Sequence, residues 1–157
     1  MYKHLVICLI LFAGTADAQT AKTVKIDELL QLVHTKDKKI QVINFWATWC
    51  GPCVKELPLF EQVAVKQPNI NVTLVSMDLE LDPNPEKVHK FIERRKIKSQ
   101  VLLLDERDPN SWINKISPEW TGAIPATLIV NPINGKRVFV ERELHQDDLQ
   151  KLISEVQ

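Results

Sequence analysis

The chain has 157 residues, 45% of them hydrophobic, a size and composition that support one domain with an ordinary core. Its 20 basic and 20 acidic residues balance and form no long run of either sign, which leaves nucleic acid binding without an electrostatic footing. Three cysteines are present, Cys8, Cys50 and Cys53.

Met1 to Ala18 has the organisation of a secretory signal. Lys3 and His4 give a polar start, Leu5 to Ala13 an apolar run, and Ala16-Asp17-Ala18 a small-residue cleavage site. A single domain is therefore expected over residues 19–157, in a periplasmic or secreted location. The apolar run falls short of the roughly 20 residues that span a bilayer, so no permanent membrane anchor is expected. Bulky Val6 and Ile7 ahead of Cys8 argue against a lipid-modified cysteine and leave Cys8 a passenger of the signal.

Thr23 to Ile26 reads as a short edge strand, followed by Asp27 as the cap of a helix over Glu28 to His34 with Leu29, Leu30, Leu32 and Val33 on its apolar face. A polar turn precedes Ile40 to Trp46, a short apolar run of the kind found in buried strands. The sequence Trp49-Cys50-Gly51-Pro52-Cys53 comes next and opens a helical pattern that continues to about Lys66. Pro58 is expected to kink that helix, since an interior proline costs about 3 kcal/mol. Ile70 to Met77 is a strand by alternation, and Asp78 to Pro85 a loop. Glu86 to Lys96 is a helix with Val88, Phe91 and Ile92 inward and Glu93-Arg94-Arg95-Lys96 as a solvated surface. Val101 to Leu104 forms another short strand and Ser111 to Ile116 a short helix carrying Trp112. Thr127 to Asn131 and Arg137 to Glu141 flank Asn134-Gly135, a dipeptide suited to the left-handed angles of a tight hairpin turn. Asp147 to Val156 closes the chain as an amphipathic helix with Leu149, Leu152, Ile153 and Val156 on one face. Strands alternating with helices make this an α/β chain, a sheet covered on both faces that ends in a hairpin and a helix.

The chemistry concentrates at Cys50 and Cys53. The first turn of a helix carries unpaired N–H groups and a partial positive charge, which favour a thiolate over a thiol. Cys50 is the expected attacking sulfur. Cys53 follows by nearly one turn, deeper in the helix and within disulfide reach, and so is the resolving thiol. Gly51 puts no Cβ in the way of the bend, and Pro52 fits the first turn, where its missing N–H costs nothing. The same spacing forms half of many zinc sites, but zinc needs further ligands. Cys8 leaves with the signal, and His4, His34, His89 and His145 form no local pair with ligand spacing, so no metal site and no cofactor are expected. A bridge closing so small a loop removes little chain entropy, which makes redox exchange a better reason for the pair than stapling.

Around Asn44-Phe45-Trp46-Ala47-Thr48-Trp49-Cys50-Gly51-Pro52-Cys53 the sequence resembles the thioredoxin superfamily, and more narrowly the secreted TlpA/ResA-type thioredoxins associated with cytochrome c maturation. The likeness runs from about Val24 to the C-terminus, with a second anchor at Gly122-Ala123-Ile124-Pro125-Ala126-Thr127. It implies a thioredoxin-like fold, a central mixed β-sheet flanked by helices with an extra helix and strand insertion. It also implies that Pro125 is cis and packs on the redox pair, and that Ile124 offers backbone hydrogen bonds to an extended substrate segment. Trp49, Gly51 and Pro52 then border the substrate groove, with Trp120 either joining its rim or packing on the core, and Trp46 reads as core.

One departure bears on mechanism. Typical thioredoxins carry a buried aspartate where this chain has Asn44, and an amide takes no proton from Cys53. Glu56 stands three residues after Cys53 on the same helix face and is the expected proton relay. Oxidants and isomerases of the superfamily often carry histidine between the cysteines; Gly51-Pro52 supplies no such cation, so the pair is expected to be comparatively reducing. The resulting expectation is a protein-disulfide reductase acting on disulfide-containing proteins, apocytochrome c among them, and re-reduced by a membrane thiol-relay electron donor. The alternatives are a disulfide oxidase or isomerase, and a dithiol module that binds and delivers copper or zinc.

Overall fold

A run buried at every residue belongs in the middle of a sheet covered on both faces, and Ile40–Trp46 (β2) takes that place. A computed structural model gives the structure of residues 21–157, so the signal expected over Met1 to Ala18 lies outside the described residues. The other strands are Lys22–Val24 (β1), Ile70–Ser76 (β3), Gln100–Leu104 (β4), Ala126–Val130 (β5) and Arg137–Val140 (β6). They form one sheet in the order β1-β4-β3-β2-β5-β6. The first four run parallel, and β5 and β6 are antiparallel additions, β5 pairing with β2 and β6 with β5. The sheet is therefore mixed, as the resemblance implied.

Helices are Ile26–Val33 (α1), Gly51–Lys66 (α2), Glu86–Arg95 (α3), Ile113–Ile116 (α4) and Gln146–Val156 (α5). Successive strand residues point to opposite faces, and β2 uses this to build two cores. Trp46 packs on Phe91 of α3, ring centroids 5.2 Å apart. Phe45 turns the other way, onto Trp120 at 4.4 Å and Trp112 at 6.5 Å. Trp120 is thus a buried core residue, with its indole N–H donating to the Ala123 carbonyl, and does not rim an exposed groove.

Several boundaries differ from the sequence reading, beginning with β1, which ends at Val24 so that Ile26 opens the next helix. Helix α1 begins at Ile26, with Lys25 as the cap position and Asp27 inside the first turn, where its charge suits the helix dipole. Helix α2, by contrast, keeps its expected end at Lys66 with Pro58 inside it. The β5–β6 connection spans 131–136, longer than a two-residue turn, and Gly135 alone takes a positive φ, of 75°. Its closure comes from Gly135 N–H donating to the Asn131 carbonyl, with Asn131 N–H donating to that of Lys136.

Candidate active site

The site lies where the carboxyl end of β2 runs into α2. After Trp46, Met77 N–H donates to the Trp46 carbonyl and Cys50 N–H to that of Ala47, which turns the chain into the helix. Asp78, buried just beyond β3, fixes this turn by accepting from Thr48 N–H at 2.9 Å, the Thr48 hydroxyl at 2.5 Å and the Ser76 hydroxyl at 2.8 Å. Cys50 is the N-cap residue of α2, and Cys53 N–H points at its sulfur at 3.3 Å. That donor and the helix terminus together favour negative charge on Cys50 when the pair is reduced.

Cys50 and Cys53 form a disulfide, their Cα atoms 5.3 Å apart. Cys53 is fully enclosed, whereas Cys50 sits beneath exposed Trp49, Gly51 and Pro52. Trp49 is 49% exposed, a large aromatic surface beside the reactive sulfur. The Ile124–Pro125 peptide is cis, the isomer the resemblance implied, and the Ile124 carbonyl oxygen lies 3.8 Å from Cys50 Sγ. The structure therefore brings Trp49, Cys50, Gly51, Pro52, Cys53, Ile124 and Pro125 to one end of the sheet.

Glu56 lies on the same face of α2 as Cys53 and is 1% exposed. One carboxylate oxygen accepts from Asn44 Nδ2 at 2.8 Å and the other from Leu144 N–H at 2.7 Å. Burial pushes its carboxyl up from the ordinary 4.5 to about 7; those two hydrogen bonds act in the opposite sense, and the neighbouring charge of Glu143 adds to the rise. A carboxyl titrating near neutrality gives and takes protons readily. Asn44 also donates to Thr127 Oγ1 at 3.1 Å, so β2, α2 and β5 meet around one carboxylate.

Sequence reasoning missed three partners. Leu144 belongs to the segment between β6 and α5, 88 residues from Glu56. Lys55–Glu143 at 2.7 Å and the two-pronged Arg142–Asp148 pair fasten that segment down. Glu141, just past β6, accepts from Thr121 N–H, the Thr121 hydroxyl and Ala123 N–H, which anchors the loop approaching Ile124-Pro125. Partial desolvation raises its carboxyl, but those three donors outweigh it and hold the group below the usual range. Asp78 is the third. Its Ser76-Met77-Asp78 context, a hydroxyl two residues before a carboxylate at a strand end, was the one local signal. Among the described residues, no group of three histidines, cysteines or carboxylates is disposed to hold a metal, and no helix is long and apolar enough to cross a membrane.

The family model described as "Thioredoxin" matches residues 20–93. Sporulation thiol-disulfide oxidoreductase A of Bacillus subtilis is 30% identical over 100 residues, 59% of this chain and 61% of that one. Thiol-disulfide oxidoreductase ResA of Oceanobacillus iheyensis is 25% identical over 127 residues, covering 81% of this chain and 62% of that protein. Among solved structures, MTB dsbF in mixed oxidised and reduced forms superposes with a TM-score of 0.60 at 26% identity, over 76% of this chain and 82% of that one. The chain thus spans under two thirds of the length of these two curated relatives.

Proposed function

We propose that this chain, which belongs to the thioredoxin superfamily and to its TlpA/ResA branch, is a thiol-disulfide oxidoreductase that reduces protein disulfides. The observation that carries the reading is the pairing of Cys50 and Cys53 at the start of α2 with a buried, near-neutral carboxyl at Glu56.

In the reduced protein the Cys50 thiolate attacks one sulfur of a substrate disulfide. The substrate's S–S bond breaks, its first sulfur leaves as a thiolate, and Cys50 is joined to the second. Cys53 then loses its proton to Glu56 and attacks Cys50 Sγ, expelling the second substrate sulfur and closing the Cys50–Cys53 bridge. Two electrons have passed to the substrate. The oxidised state is the one the structure describes, and a dithiol donor must reduce it before the next cycle. Trp49 and the Ile124 backbone border the place where an extended polypeptide approaches Cys50.

The signal-like Met1 to Ala18 supports work outside the cytosol, where a membrane thiol relay would supply the electrons. The TlpA/ResA likeness supports apocytochrome c as a substrate. Equilibration of the pair against dithiothreitol or glutathione buffers tests the direction of flow. The reading predicts a potential below about −200 mV; a value near about −120 mV, that of a strong oxidant, would make the protein an oxidase.

A further inference from the structure

Thr48, two residues before Cys50 in the chain, closes one end of a cleft of about 280 Å³ whose other walls are Lys87, Lys90, Phe91 and Arg94 of α3. Spacings of three and four residues put the three cations on one face of α3, and all three are exposed. Phe91 forms an apolar floor, held against Trp46, with the Arg94 guanidinium 5.7 Å from its ring centroid. The cleft and the nucleophile share a scaffold, because the hydrogen bonds from Thr48 to Asp78 fix the turn that also sets Cys50.

The charge here is only partly cancelled locally. Lys22, Lys25, Lys55 and Arg142 each lie within 3.0 Å of a carboxylate. Lys90 meets Glu86 only loosely, at 3.5 Å with both side chains exposed. Among the described residues, neither Lys87 nor Arg94 has a carboxylate partner. Asp78, behind Thr48, is buried and engaged by its three donors. A protein with equal numbers of acidic and basic residues therefore carries a cationic slot beside its reactive sulfur.

We propose that this slot receives an acidic segment of the disulfide-bearing polypeptide, so that substrates with Asp or Glu near the reacting cystine are preferred. The assignment rests on the reductase reading above and adds its substrate class. An exposed cluster of like charge raises the encounter rate of an oppositely charged partner and loses that effect in salt.

The test uses two peptide disulfides identical around the cystine and flanked by either three aspartates or three lysines. Their reduction by the reduced protein is timed at low and high ionic strength, with neutral 2-hydroxyethyl disulfide alongside. The acidic peptide is expected to react about tenfold faster at low salt, with most of the difference gone at high salt. A Lys87→Gln/Lys90→Gln/Arg94→Gln variant should erase the preference, and the corresponding triple glutamate variant should reverse it. Both should reduce the neutral disulfide at the wild-type rate, which also shows that they are folded. Equal rates for the two peptides with the wild-type protein, or a preference that survives in the glutamine variant, would overturn the assignment. Failure of the wild type to reduce even the neutral disulfide would instead overturn the reductase reading.

Discussion

Glu56 joins the fold's energetics to its chemistry. Its carboxyl titrates at about 7 because burial disfavours the charge. Below the ordinary value of 4.5 the group is neutral in folded and unfolded chains alike, and its burial costs little. Between pH 4.5 and about 7 the carboxyl ionises in the unfolded chain but stays protonated in the folded one, so stability falls by on the order of 3 kcal/mol across that window and levels off above it. Glu56→Gln keeps a neutral side chain at every pH. Denaturant unfolding should therefore show the variant gaining on wild type by roughly that amount between pH 4.5 and 8; a constant difference would contradict the assignment. In kinetics the same variant should slow release of the mixed disulfide and lose the pH dependence near 7. Asn44→Asp offers a converse test. It puts a second carboxylate at the 2.8 Å contact that Asn44 now fills as a donor. Like charges at that distance cannot both ionise, so the midpoint of the pH–rate profile should rise by at least about one unit. An unmoved midpoint would show that Asn44 does not govern the carboxyl.

At the scale of elements, the loop from Thr121 to Pro125 is held from outside itself. Glu141 ties down Thr121 and Ala123 through three hydrogen bonds, and Trp120 anchors the loop's origin by donating to Ala123. Gly122 has a φ of 98°, a conformation L side chains rarely adopt, and a Cβ there would also press on Ile113 Cδ1 at 3.0 Å, so a substitution would strain the loop. Glu141→Gln keeps the size of the side chain but weakens its three hydrogen bonds, at a stability cost of about 1 kcal/mol. With the proposed substrate segment docking along Ile124-Pro125, KM for a protein disulfide should rise severalfold while the rate with a small disulfide holds. Equal losses with both substrates would mean that Glu141 only supports the fold. The charge and conformation of Glu141 gave no hint of this role in the sequence. Its partners lie 18 and 20 residues away, and only the antiparallel pairing of β5 and β6 brings them back.

For the molecule as a whole, local patterns carried most of the architecture. Ile40 to Trp46 was legible as a buried strand because every residue had to be covered, and the helix after Cys50 because Gly51 and Pro52 mark its first turn. The cap of α1 slipped, Lys25 rather than Asp27 preceding it, and Trp120, for which rim and core were both open, takes the core place beside Phe45 and Trp112. The cysteine pair was legible because its spacing came with the likeness over Asn44 to Cys53, whereas the groups around it come from Leu144, Asp78 and Thr127, far along the chain. In the proposed function Cys50, Cys53 and Glu56 act together at a surface bordered by Trp49 and the Ile124-Pro125 loop. The most direct test of that account is covalent trapping with a Cys53→Ser protein, reduced and mixed with a disulfide-containing polypeptide. It predicts a stable adduct that maps to Cys50 by mass spectrometry and dissolves in dithiothreitol, with none for Cys50→Ser/Cys53→Ser. Failure of Cys53→Ser to form any adduct, while the wild-type protein still reduced the polypeptide, would contradict it.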